Sequence, residues 1–123
     1  MRRALLADVF LMSTNAITKD GVMINVDGTG NRVAALCYGP KEVIIVIGMN
    51  KMVGSIEAGI DRIRNYAAPI NTNRLGLSNP CGVKGYCLNC HGSECICSDY
   101  VFTRQSKPRG RLKAIIVAED LGY

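Results

Sequence analysis

The chain has 123 residues, a formal net charge of +5, an ordinary apolar fraction of 48% and six cysteines. A chain this long can bury roughly two-thirds of its unfolded surface around one core, which excludes a disordered chain, and no run approaches the ~18 apolar residues of a membrane span. The basic residues are scattered (Arg2 and Arg3, Arg62 and Arg64, then Lys107, Arg109, Arg111 and Lys113) and read as solvated surface, not as a nucleic-acid-binding stripe.

The opening "MRRALLADVFLMS" begins like a signal peptide, but Asp8 breaks the apolar run and no small-residue cleavage site follows. A cytoplasmic chain with reduced thiols is expected. The segment "DVFLMSTNAIT" predicts a buried strand at its start. "GVMINVDG" alternates, with Val22, Ile24 and Val26 on one side and glycine at both ends, and reads as a second strand. The Asp-Gly of "TKDG" just before it predicts a tight turn and a hairpin.

"NVDGTGNR" follows that strand and leads into a short helix, "TGNRVAALCYG". A glycine loop at a helix start can aim backbone N–H groups at a phosphate or carboxylate. The candidate ligand-binding residues are Asp27, Gly28, Thr29, Gly30, Asn31 and Arg32. The loop lacks the third glycine of the dinucleotide fingerprint and the lysine of a P-loop, so a tight structural turn is an equal reading. Asp27 is either a cap or a site carboxylate.

"EVIIVIG" is a continuous β-branched run, the mark of a strand buried on both faces. "GSIEAGIDRIRNYAAP" is the clearest helix, with Ile56, Ile60, Ile63 and Ala67 on one stripe and Glu57, Asp61, Arg62 and Arg64 off it. Pro69 is expected to stop it. "RLKAIIVAED" predicts a last apolar strand from Leu112 to Ala118. Strands alternating with helices indicate an α/β domain with an open, largely parallel sheet. The strands counted this way number about four or five, fewer than such a sheet usually holds, which points to an absent N-terminal portion or to a partner over an edge.

Five of the six cysteines lie in "CGVKGYCLNCHGSECIC", Cys81 to Cys97. In a cytoplasmic chain that builds its own core, crowded thiols point to a metal and not to staples. A tetrahedral site or an iron–sulfur cluster needs four ligands. Cys81, Cys87, Cys90 and one of Cys95 or Cys97 can supply them. Gly82, Gly85 and Gly92 are expected to give the loop positive φ angles. The single Cys-x2-Cys pair and uneven spacing fit an iron–sulfur cluster at least as well as zinc. His91 adjoins Cys90 and is either a ligand or a neighbour of the site. Four thiolates around a divalent ion would also remove about two units of the positive charge.

Together, "LLADVFLMSTNAITKDGVMINVDGTGNRVAALCYGPKEVIIVIGMNKMV", "NPCGVKGYCLNC", "CICSDY" and "RLKAIIVAEDLGY" resemble the lactate-utilisation (LUD) domain family, formerly a domain of unknown function. The resemblance implies a fold like that of ribose-5-phosphate isomerases and coenzyme A transferases. It implies a place in the oxidation of lactate or related organic acids, beside iron–sulfur and flavin oxidoreductase subunits. Family members carry a further N-terminal portion, so residues 1–123 resemble the C-terminal two-thirds of one such domain, with a Cys-rich insertion at 79–99. The family pattern implies Cys81, Cys87, Cys90 and Cys97 as metal ligands, with Cys95 the extra.

Two functions follow as expectations. The chain is either a redox component carrying a 4Fe-4S cluster, or a binding protein or enzyme for a phosphate- or carboxylate-bearing small molecule with structural zinc. A zinc module for nucleic acid lacks the aromatic interleaving of a single-strand binder. No nucleophile–base pair has a usable spacing, so no catalytic residue is assigned. A homo-oligomer is compatible with the short sheet.

Overall fold

The computed structural model describes residues 1–123. Seven strands form two sheets, with helices between and beside them. After a 3-10 turn over Arg2–Leu6 come β1 (Val9–Met12), β2 (Ala16–Thr18), β3 (Met23–Asp27), α1 (Asn31–Cys37) and β4 (Glu42–Gly48). The short β5 (Met52–Val53) precedes a long helix built of α2 (Ile56–Arg62), a π segment (Ile63–Ala67) and α3 (Ala68–Arg74). Then follow α4 (Pro80–Lys84), β6 (Asp99–Thr103) and β7 (Leu112–Val117).

The first sheet runs β1-β4-β7 and is wholly parallel. Its centre is the β-branched run Glu42–Gly48, but burial is not equal on its two faces as expected: Val43, Ile45 and Ile47 are buried, whereas Ile44 and Val46 are half-buried. The second sheet runs β5-β2-β3-β6, with β2 antiparallel to β3, β3 antiparallel to β6, and β5 parallel to β2. The expected hairpin is β2–β3. Thr18 N donates to Val22 O at 2.9 Å, and Gly21 closes the turn at φ +89°. That dihedral favours glycine because a Cβ would crowd the following carbonyl.

"DVFLMSTNAIT" is two strands, not one. The chain leaves the first sheet at Ser13 and enters the second at Ala16, and the Thr14 hydroxyl donates to the carbonyls of Ala16 and Ile24. β3 is buried from Met23 to Val26 because it lies between two cores. Met23 and Ile17 face Val43, Ile45 and Ile47, whereas Ile24, Val26 and Ala16 face Ile63 of the long helix.

The outer strands carry less burial than their apolar sequences suggest. Leu11 in β1 is 67% exposed and Ile115 in β7 is 50% exposed. Of the helix stripe, Ile63 and Ala67 are buried and Ile60 is half-buried, while Ile56 at the first turn is exposed, contrary to expectation. Pro69 does not stop the helix. The π segment lies just before it, and Ala68 N donates to Ile63 O, five residues back. That widened turn relieves the clash of a proline ring with the carbonyl four residues earlier, so the helix runs on to Arg74.

Candidate functional site

The cysteine segment hangs between α3 and β6 and folds back on the long helix. Pro80 starts α4, where its fixed φ suits the first helical turn. This buries Cys81 against Thr72, whose hydroxyl lies 3.5 Å from the sulfur. Gly82 lets the two helices touch, since a Cβ there would sit 2.9 Å from Thr72 Cγ2. Of the three glycines expected to supply positive φ, only Gly85 does, at +80°, as the left-handed cap of α4. Asn89, between Cys87 and Cys90, is the second left-handed residue of the loop, at φ 52°.

The long helix holds Cys87 directly. Arg64 Nε and the Asn89 N–H each donate to its sulfur at 3.3 Å, and Cys87 N donates to Asn65 Oδ1 at 3.1 Å. The loop is closed at its base, where Asn79 Nδ2 donates to Glu94 O at 2.8 Å and Ser78 N to the Glu94 carboxylate at 3.0 Å. Cys97 leaves the loop packed on the core cluster around Ile24 and Val26.

All five thiols line one cavity of about 410 Å³, together with Arg64 and Tyr100. None is in a disulfide. No three His, Cys, Asp or Glu side chains converge closely enough to hold one metal ion. The thiols still act on one another. Burial pushes Cys97 up to about 12, and the charges of Cys95, Cys81, Cys87 and Cys90 push the same way. Cys90 is raised by burial and then by Cys95. At Cys87 burial works upward too, but the hydrogen bonds from Arg64 and Asn89 and the Arg64 charge outweigh it and lower the thiol. His91 is exposed, with Nε2 3.5 Å from Asn89 Nδ2.

The glycine loop packs on this segment. A Cβ at Gly28 would come within 3.2 Å of Ile96 Cα, and Ser98 N donates to Asp27 O at 3.0 Å. Asp27 itself receives the helix-start amides: its carboxylate accepts from the N–H groups of Arg32 and Val33 at 2.9 and 3.2 Å. The Arg32 fork turns inward, to Ser13 O, Asn25 Oδ1, Asn15 Oδ1 and Val26 O. Thr29 and Asn31 are exposed. Asp27 thus caps the helix, and Arg32 ties the loop to the second sheet. The chain's own carboxylate stands where an anionic ligand was expected.

Sequence reading placed Arg62 and Arg64 on the solvated face, and both have structural partners instead. Arg62 donates to the carbonyls of Asn50 and Asn15 and lies over the Tyr66 ring. Lys51 was not singled out, although it is buried. The helix period gives no sign of either role, because the partners come from loops distant in sequence.

A family model described as the LUD domain matches residues 1–117. No curated protein and no solved structure matches the chain. The match covers nearly all of the two-sheet fold, and the chain belongs to the LUD domain family.

Proposed function

We propose that the chain is a redox component of a lactate or related organic-acid oxidation system and that Cys81, Cys87, Cys90 and Cys97 hold a 4Fe-4S cluster. The observation that carries this reading is five cysteines, none in a disulfide, around one cavity. An all-sulfur donor set is soft, and it suits iron–sulfur clusters and zinc, not magnesium or calcium. A single zinc sits ~2.3 Å from each sulfur and would draw its ligands close together. The thiols here ring a cavity without converging on one point, and the uneven cysteine spacing is what favours the cluster over zinc. When bound, the cluster would supply one-electron transfer. Arg64 and the Asn89 amide donate to Cys87, and such bonds to a ligand sulfur tune a cluster's potential. Burial of Cys97 on the core would keep water from one side.

The rest of the family reading belongs to the same proposal. The parallel β1-β4-β7 sheet beside a second, mixed sheet supports a ribose-5-phosphate isomerase/CoA transferase-like fold. The partners would be iron–sulfur and flavin oxidoreductase subunits, in a reducing cytoplasm. No helix is long and apolar enough to cross a membrane.

The test is metal analysis and absorption of anaerobically purified protein. About four irons per chain, with broad visible absorption that bleaches on dithionite, are expected. Cys95→Ser should keep the colour, whereas Ser at Cys81, Cys87, Cys90 or Cys97 should abolish it. One zinc per chain without colour would replace the cluster by a structural ion, and neither metal would end the metal reading.

A further inference from the structure

A second cavity, of about 370 Å³, lies on the other side of Cys97, between the long helix and the link from β1 to β2. Lys51, Asn15, Asn71 and Arg74 lie on its polar wall beside Gly122 and Tyr123, whose hydroxyl donates to Asn71 Oδ1 at 3.2 Å; Val26 and Ile63 are among its apolar ones. Lys51 is only 6% exposed. Its ammonium has three donors, yet one protein partner, Ser13 Oγ at 3.1 Å. No carboxylate pairs with it; the side-chain charges that act on it are those of Arg62 and Arg32, both positive, and their forks are engaged by neutral carbonyl and amide oxygens. The chain's two ion pairs, Lys41–Asp8 and Lys113–Glu42, lie elsewhere. A buried cation without a counter-ion is unfavourable. At the exposed edge, Arg74 uses Nε and Nη2 on Asn71 Oδ1 and keeps Nη1 without a protein partner.

We propose that this cavity binds the carboxylate of a small organic acid, with Lys51 as the buried counter-charge and Arg74 closing on the carboxylate from the mouth. A planar fork and an ammonium suit a carboxylate. The apolar wall at Val26 and Ile63 admits a short carbon chain, and the volume is at the small end of ligand sites. The bound acid would lie against Cys97, which lines both cavities. The proposal stands on Lys51 and the cavity, not on the metal. Lys51, Asn15 and Arg74 lie outside residues 79–99, so acid binding and metal content are read separately.

The experiment is calorimetric titration of the full chain, as purified, with acetate, lactate and inorganic phosphate in a non-coordinating buffer. At least one carboxylate should bind saturably and more tightly than phosphate. Lys51→Met should weaken it by more than about tenfold, as loss of the buried charge requires. Arg74→Gln, at an exposed position, should weaken it by about threefold to tenfold with an unchanged melting temperature; this variant serves if Lys51→Met does not fold. Absence of saturable carboxylate binding, tighter binding of phosphate than of either acid, or full affinity in Arg74→Gln would overturn the proposal.

Discussion

Arg32 gives four hydrogen bonds to neutral acceptors on two segments: Ser13 O and Asn15 Oδ1 in the link from β1 to β2, and Asn25 Oδ1 and Val26 O in β3. Burial lowers its pKa, partly offset by the charge of Asp27. The bond to Asn25 at 2.7 Å fixes the orientation of that amide and leaves Asn25 Nδ2 as the one buried side-chain polar atom without a partner. Removal of the guanidinium would strand several half-buried acceptors at once. Arg32→Met should therefore lower unfolding free energy by about 3 kcal/mol. Arg32→Lys should recover little, because one ammonium cannot reach acceptors arranged for a planar fork. Urea unfolding at neutral pH measures both. A loss below about 0.5 kcal/mol for Arg32→Met would show that water replaces the fork at little cost.

At the level of elements, the sequence made the centre of each unit readable and left the contacts between units hidden. The run Glu42–Gly48 announces a central strand, and Ser55 caps α2 as a serine before an apolar stripe should, accepting from Ala58 N at 3.2 Å. The gathering of Cys81 to Cys97 around one cavity was readable because the thiols are already near one another in sequence. The second strand in "DVFLMSTNAIT" was hidden because three polar or small residues, Ser13 to Asn15, switch sheets without a glycine or proline signal. The helix beyond Pro69 was hidden because a π segment has no sequence signature of its own. The purpose of Gly28 was hidden because its neighbour, Ile96, is distant along the chain. Gly59 is of the same kind. Helix propensity alone predicts that Gly59→Ala stabilises α2 by about 1 kcal/mol. Packing predicts the reverse, since a Cβ there would run into Ile24 Cδ1 and lie 3.4 Å from Ala16 Cβ. Ile24 is fully buried, so its methyl has little room to retreat. Gly59→Ala should lower stability by about 1–2 kcal/mol, and Ala58→Gly at the exposed neighbouring position by about 1 kcal/mol. A melting temperature that rises in Gly59→Ala would contradict the close approach of helix and sheet.

On the scale of the whole molecule, two packed sheets carry a loop that has little core of its own. The sheets share the apolar cluster of Ile17, Met23, Ile45 and Ile47, and the second sheet packs its other face, through Ile24 and Val26, on Ile63 of the long helix. Residues 79–98 are held instead by polar contacts: Asn79 and Ser78 to Glu94, Arg64 to Cys87, Cys87 N to Asn65, and Ser98 N to Asp27 O. Segments with few buried apolar contacts open at low free energy without unfolding the rest. A centre joining Cys81, Cys87, Cys90 and Cys97 would link the start, middle and end of the loop, so its binding energy would become local folding energy. Cys90→Ser, prepared anaerobically, should therefore exchange its amide hydrogens faster from Cys81 to Ser98. The ladder of Val43–Gly48 with Leu112–Val117 should keep its protection, and so should β6, which five residue pairs register on β3. Hydrogen-exchange mass spectrometry of wild type and variant, matched in temperature and pH, separates the outcomes. Equal acceleration in β4 would make the centre integral to the fold. An unchanged loop would mean that the thiols hold nothing together, and the metal reading would lose its structural half.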